Sequence, residues 1–169
     1  MGRQDATRVI VGVDSSVAGL RALRLAVAEA RRRGAELHAI RVWSDEAAWQ
    51  LAGACLPNDR QVQAAAEVSA AFAAAMGRVP DDVEVVAMVV SGSPGPALTG
   101  YAHRDGDLLF VGTAQRGWLR RLFRGSTARY CVTHASCPVI AVPPDTFART
   151  ASPRRLARAL NRDLSTLGR

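Results

Sequence analysis

Short, almost wholly apolar runs separated by longer amphipathic segments constrain this chain more than any other feature. Val9-Ile10-Val11-Gly12-Val13 is largely β-branched and shows no polar alternation, the pattern of a strand covered on both faces of a parallel sheet. Four further runs repeat it: residues 36–43 (Leu37, Ala39, Ile40, Val42), 82–90 (Val83, Val85, Val86, Met88, Val89, Val90), 107–112 and 137–142. Helix-like segments lie between them. Asp14-Ser15-Ser16 supplies capping residues, Leu20, Leu23, Val27 and Ala30 recur at helical spacing, and Arg31-Arg32-Arg33-Gly34 closes the element. Over 59–76 the spacing of Val62, Ala66, Ser69, Phe72, Ala73 and Met76 predicts a second helix ending at Gly77. Residues 44–58, which show no period and contain Gly53 and Pro57, read as a loop. Ser91-Gly92-Ser93-Pro94-Gly95-Pro96 leads into a short helix through Leu98, Tyr101 and Ala102, and residues 126–135 form the last one. The predicted end of the final strand is Pro143-Pro144.

Strands alternating with helices imply right-handed crossovers, so the expected fold class is α/β: a single Rossmann-like domain with a five-stranded, mostly parallel sheet and helices on both faces. At 169 residues, half of them apolar, the chain is sized for one well-buried domain. We place that domain at residues 7–144 and a basic C-terminal tail at 145–169. In the tail, Pro153 can start a helix, and Leu156, Leu160, Leu164 and Leu167 form an apolar stripe between arginines. Such a stripe suits packing on the chain's own domain or a dimer mate, and no stable membrane association is expected.

The net charge of +7 invites a nucleic-acid reading, but all 22 basic residues are arginine and none is lysine. That uniformity reflects compositional bias, and the stretch 151–169, with five arginines against Asp163, has no aromatic residue on which bases could stack. No nucleic-acid partner is expected. Cys55, Cys131 and Cys137 form an odd set without a Cys-x-x-Cys pair, so they read as reduced thiols, not as a disulfide framework or zinc site. No apolar run approaches the ~20 residues of a membrane span, and residues 1–8 lack the apolar core of a secretory signal. The expected location is cytoplasmic.

The functional signal lies after the fourth strand. Gly112 ends Asp107-Leu108-Leu109-Phe110-Val111, and Gly125-Ser126-Thr127 opens the following helix, where free N–H groups attract anions. Between them Arg116, Arg120, Arg121 and Arg124 stand with no acid. Ligands of open α/β sheets bind beyond the carboxyl ends of the strands. That rule gathers Asp14, Val42, Val90 to Gly92, and Gly112 with Thr113 at one edge. A structural role is open for each: Asp14 as a helix cap, the glycines as turns.

The ordered set Val-Gly-Val-Asp-Ser-Ser (11–16), Ile-Arg-Val-Trp (40–43), Gly-Ser-Pro-Gly-Pro-Ala-Leu (92–98), Asp-Leu-Leu-Phe-Val-Gly (107–112), Gly-Ser (125–126) and Cys-Pro-Val-Ile-Ala-Val resembles the universal stress proteins over roughly residues 7–143. The resemblance implies the strand order 3-2-1-4-5 and a homodimer paired through the last strand, Pro138 to Val142. The nucleotide-binding branch of that family carries Gly, two residues, Gly, nine residues, then Gly and Ser or Thr. Here Gly112 and Gly125-Ser126 match, while Gln115 replaces the middle glycine. The resemblance also implies ATP or AMP as ligand, with Mg²⁺ if ATP. Asp14 would lie near adenine or ribose, Val42 would offer backbone bonds to adenine, and Gly112 would approach the ribose. Thr113, Gln115, Arg116, Gly125, Ser126 and Thr127 would face the phosphates, and Ser15 and Gly92 complete the candidate set.

Other chemistry is less well supplied. His103 and His134 read as ordinary helical histidines without ligands at metal spacing, His38 as a strand residue, and Ser126 lacks triad partners. Three functional classes follow: a nucleotide-binding regulatory protein with at most slow hydrolysis; a nucleotide-free dimeric interaction module, favoured by Gln115; and a nucleotidyl transferase or synthetase. The third resembles proteins with a His-x-Gly-His or lysine-serine signature, which this chain lacks.

Overall fold

In the computed structural model, which describes residues 7–43, 57–113 and 126–144, five parallel strands form one sheet. They are β1 (Arg8–Gly12), β2 (Glu36–Trp43), β3 (Val85–Ser91), β4 (Leu108–Gly112) and β5 (Val139–Val142). The order is β3-β2-β1-β4-β5, as the resemblance implied. Among the described residues four helices accompany them: α1 (Val17–Arg33), α2 (Pro57–Met76), α3 (Pro94–Tyr101) and α4 (Thr127–His134). No described helix is long and apolar enough to cross a membrane.

The doubly covered reading of β1 holds, for Val9, Ile10 and Val11 are fully buried. Alternate strand residues feed two cores. Val9, Val11, Leu37, Ala39 and Phe110 pack with Leu23, Val27 and Phe72 of α1 and α2. Ile10, Ile40, Leu109 and Val111 pack with Leu98, Ala128 and Cys131 of α3 and α4. Burying a side chain of this kind contributes about 1.5–3 kcal/mol, which is why these short strands need no polar face.

α1 starts where its sequence says it should. Ser16 is the N-cap, its hydroxyl accepting from the Gly19 N–H, and Gly34 ends the helix in the left-handed region at φ 59°, donating to the Ala30 and Arg31 carbonyls. α2 differs from expectation. It buries Val68, Ala71, Phe72 and Ala75, whereas Val62 is 71 % exposed and Ala66, Ser69 and Ala73 also face outward. In so alanine-rich a segment no apolar stripe dominates, and the sheet selects the face holding Val68 and Phe72. His103 is also corrected: α3 stops at Tyr101, and His103 sits in the turn beyond it. β3 begins at Val85, three residues later than predicted, and β5 at Val139, two later.

The amino ends of the strands are closed by a buried ion pair. Arg8 Nε and Nη2 donate to the two Asp107 carboxylate oxygens at 2.9 and 2.6 Å, and the guanidinium lies 5.1 Å from the centre of the Tyr101 ring. Tyr101 in turn joins His38 at 2.6 Å, and His38 joins Glu36 at 3.1 Å. Among the described residues no buried ion pair closes the carboxyl ends, where Arg41 and Glu67 pair half-exposed.

Candidate functional site

Strand β1 has β2 on one side and β4 on the other, so the chain reverses direction across the sheet between β1 and β4. The crevice this leaves at the carboxyl ends is the usual ligand position in such folds. An open cleft of about 110 Å³ is found there, walled by the ends of β1, β2 and β4 and by Pro94, Leu98 and Thr127 of the flanking helices.

Of the predicted residues, the structure brings Asp14, Val42, Gly112 and Thr127 together on the cleft wall. Asp14 follows β1 and is exposed. Its Oδ1 accepts from the Ser16 N–H at 2.9 Å and from the Ser16 hydroxyl at 2.6 Å, and that hydroxyl accepts from the Gly19 N–H at 3.0 Å. Ser16 therefore caps α1, and Asp14 orients the cap. Val42 precedes the last residue of β2 and pairs with Val90 of β3.

Ser126 is the N-cap of α4, with extended backbone and its hydroxyl accepting from the Arg129 N–H at 3.4 Å. The Thr127 and Ala128 N–H groups, in the first turn, have no intrahelical acceptor by the geometry of any α-helix, so they carry the positive end of its dipole. With Thr127 on the wall, that end borders the cleft.

Other candidates fall beside it. Ser15 is exposed, Thr113 spends its backbone N–H on the Val142 carbonyl at 2.8 Å, and Gly92 spends its own on the Trp43 carbonyl at 2.8 Å. Gly92 holds φ 127°, which favours glycine and turns the chain from β3 toward α3. Gln115, Arg116 and Gly125 lie outside the described residues, as do Cys55 and the tail at 145–169. Among the described residues no cluster of His, Cys, Asp or Glu could hold a metal ion.

The sequence reading missed Arg41. It lines the cleft, donating through Nε to Glu67 Oε2 of α2 at 2.6 Å and through Nη1 to the Val13 carbonyl at 3.3 Å. Its signal was present: a charged residue inside the otherwise apolar run Ala39-Ile40-Arg41-Val42-Trp43.

Sequence comparison matches the universal stress protein family over residues 6–143. Universal stress proteins of Mycobacterium bovis and Mycobacterium tuberculosis are each 36% identical over 134 residues, covering 78% of this chain and 44% of theirs. The chain thus spans less than half the length of these curated relatives. Among solved structures, universal stress protein UspA from Lactobacillus plantarum is 27% identical, covering 81% of this chain and 97% of its own, with a TM-score of 0.57. A universal stress protein solved in complex with cAMP is 23% identical, covering 83% of this chain and 98% of its own, with a TM-score of 0.54. With its strand order, its crevice and a family match over most of its length, the chain belongs to the universal stress protein family.

Proposed function

We propose that this protein holds an adenine nucleotide, ATP or AMP, with Mg²⁺ accompanying ATP, in the cleft at the carboxyl ends of β1, β2 and β4. Occupancy biases its conformation or partners in a cytoplasmic regulatory role, with at most slow hydrolysis. The observation that carries this reading is the cleft itself, bordered at one end by the first turn of α4 and at the other by Asp14 and Val42. An anion meets unpaired N–H groups at the helix start, while the Asp14 carboxylate can accept from a ribose hydroxyl or an exocyclic amine. The fold neighbour in complex with cAMP supports an adenine ligand. Thr113, Gln115, Arg116, Gly125 and Ser126 belong to the phosphate side of this proposal.

Two copies pair through the last strand, Pro138 to Val142. β5 bonds to β4 on one side, and Ile140 is 39 % exposed; an apolar edge strand of this kind requires covering.

A second reading, a dimeric interaction module without nucleotide, has two observations in its favour. Gln115 occupies the middle glycine position of the loop motif, and the cleft, at about 110 Å³, is smaller than the roughly 300 Å³ at which small-molecule sites begin. Isothermal titration with ATP and Mg²⁺ separates the two. Saturable binding that is abolished in Gly125→Asp supports the nucleotide reading. Absence of heat in the parent, with binding gained in Gln115→Gly, supports the module.

A further inference from the structure

We propose that the C-terminal segment, residues 145–169, folds back as a helix whose leucine stripe closes an apolar groove between α2 and the edge strand β3. The groove has a volume of about 290 Å³ and is walled by Ala65 and Val68 of α2 and by Ala87, Met88 and Val89 of β3. It opens on the α1–α2 side of the sheet, since Val85 packs into that core and the side chains two and four residues on share its face. Among the described residues β3 ends the sheet and bonds only to β2. Natural edge strands are blunted by charge, by proline or by a covering helix, and Val85–Ser91 has neither charge nor proline. The outer surface of α2 continues this apolar edge. Val62, Ala65, Ser69 and Ala73 face outward, and between Gln61 and Met76 the one charged residue, Glu67, is paired with Arg41.

Pattern, direction and reach select the occupant. Leu156, Leu160, Leu164 and Leu167 recur at helical spacing, and at that spacing the arginines of the segment fall off the stripe. An uncharged groove covers the leucines and leaves those arginines in water. The chain also leaves β5 on the right side of the sheet, for Arg21 of α1 donates through Nη1 to the Pro143 carbonyl at 2.8 Å. Four strand spacings put about 19 Å between β5 and β3, and residues 145–155 reach up to ~35 Å when extended. The stripe can therefore begin at the groove. Seated there, the segment shields the β3 edge and leaves the β5 edge to the pairing of two copies.

The test is hydrogen exchange, read by mass spectrometry of peptides, on the full chain and on a variant carrying Leu160→Asp and Leu164→Asp, two changes outside the sheet and its cores. Exchange about tenfold or more faster is expected in the variant, both in peptides from 151–169 and in those from 62–69 and 85–91, with peptides holding Leu25 and Ile140 unchanged. Ala65→Arg, at an exposed position on the groove wall, should release the 151–169 peptides alike. Equal exchange in parent and variant overturns the proposal, and so does a change confined to 151–169, a change that appears at Leu25 and Ile140 instead, or a 151–169 segment that stays protected in Ala65→Arg. Protection of 151–169 that disappears on dilution of the parent places the segment on a second copy and overturns the intramolecular assignment.

Discussion

A methyl group at Gly112 would lie 2.7 Å from the backbone nitrogen of Gly19, so the end of β4 and the first turn of α1 touch backbone to backbone. The Ala18 carbonyl carbon would lie at 2.9 Å from the same methyl. Neither neighbour is the tip of a flexible side chain, and relief requires shifting the helix. The glycine that ends β4 therefore serves helix–strand packing first. Gly112→Ala should cost about 1–3 kcal/mol, the usual range for overpacking, read as a lower denaturation midpoint in urea with an unchanged slope.

The Arg8–Asp107 pair anchors the opposite end of the sheet. Burial pushes the Asp107 carboxyl up, but the Arg8 guanidinium and the Arg104 N–H outweigh it and hold the group below the usual carboxylate range. A group with a depressed folded pKa contributes stability that is in place above its unfolded value of about 3.9 and is lost as pH falls through the folded one. Asp107→Asn should lose about 3–5 kcal/mol at neutral pH, because Arg8 is left buried without its counter-charge. Its acid-unfolding profile should be correspondingly flatter below pH 4, as followed by circular dichroism.

Cys131 is buried, and burial, with Cys137 nearby, pushes its thiol up to about 11. The nucleophile in thiol chemistry is the thiolate. Native protein at pH 8 should therefore leave Cys131 unlabelled by a disulfide reagent, with full labelling only after denaturation; mass spectrometry of the peptides distinguishes it from Cys137.

If two copies pair through β5, a charge on its outer edge should separate them. Ile140→Asp should shift the sedimentation coefficient from dimer to monomer while leaving the circular dichroism spectrum unchanged, since charged edges oppose strand pairing. A dimer that persists in Ile140→Asp places the contact elsewhere.

The strands were legible because residues buried on both faces must be apolar throughout, a demand that Val9 to Val11 and Leu108 to Val111 meet without exception. The phase of α2 was not, since alanine on every face leaves the choice to the sheet. At the site, Asp14, Val42 and Gly112 followed from one rule about strand ends, and Thr127 from the Gly-Ser-Thr that opens α4. The anchoring of Arg41 escaped it, because its partner Glu67 lies 26 residues away in sequence. The reason for glycine at 112 escaped too: the close neighbour is Gly19, on a helix that the local motif does not include.

The most direct test is a ¹H–¹⁵N correlation spectrum of the full chain titrated with AMP. The account predicts saturable shifts concentrated at Asp14, Val42, Gly112 and Thr127, with Arg8 and Asp107 at the far end of the sheet unmoved. Shifts that never saturate, or that gather away from the carboxyl ends of β1, β2 and β4, would contradict it.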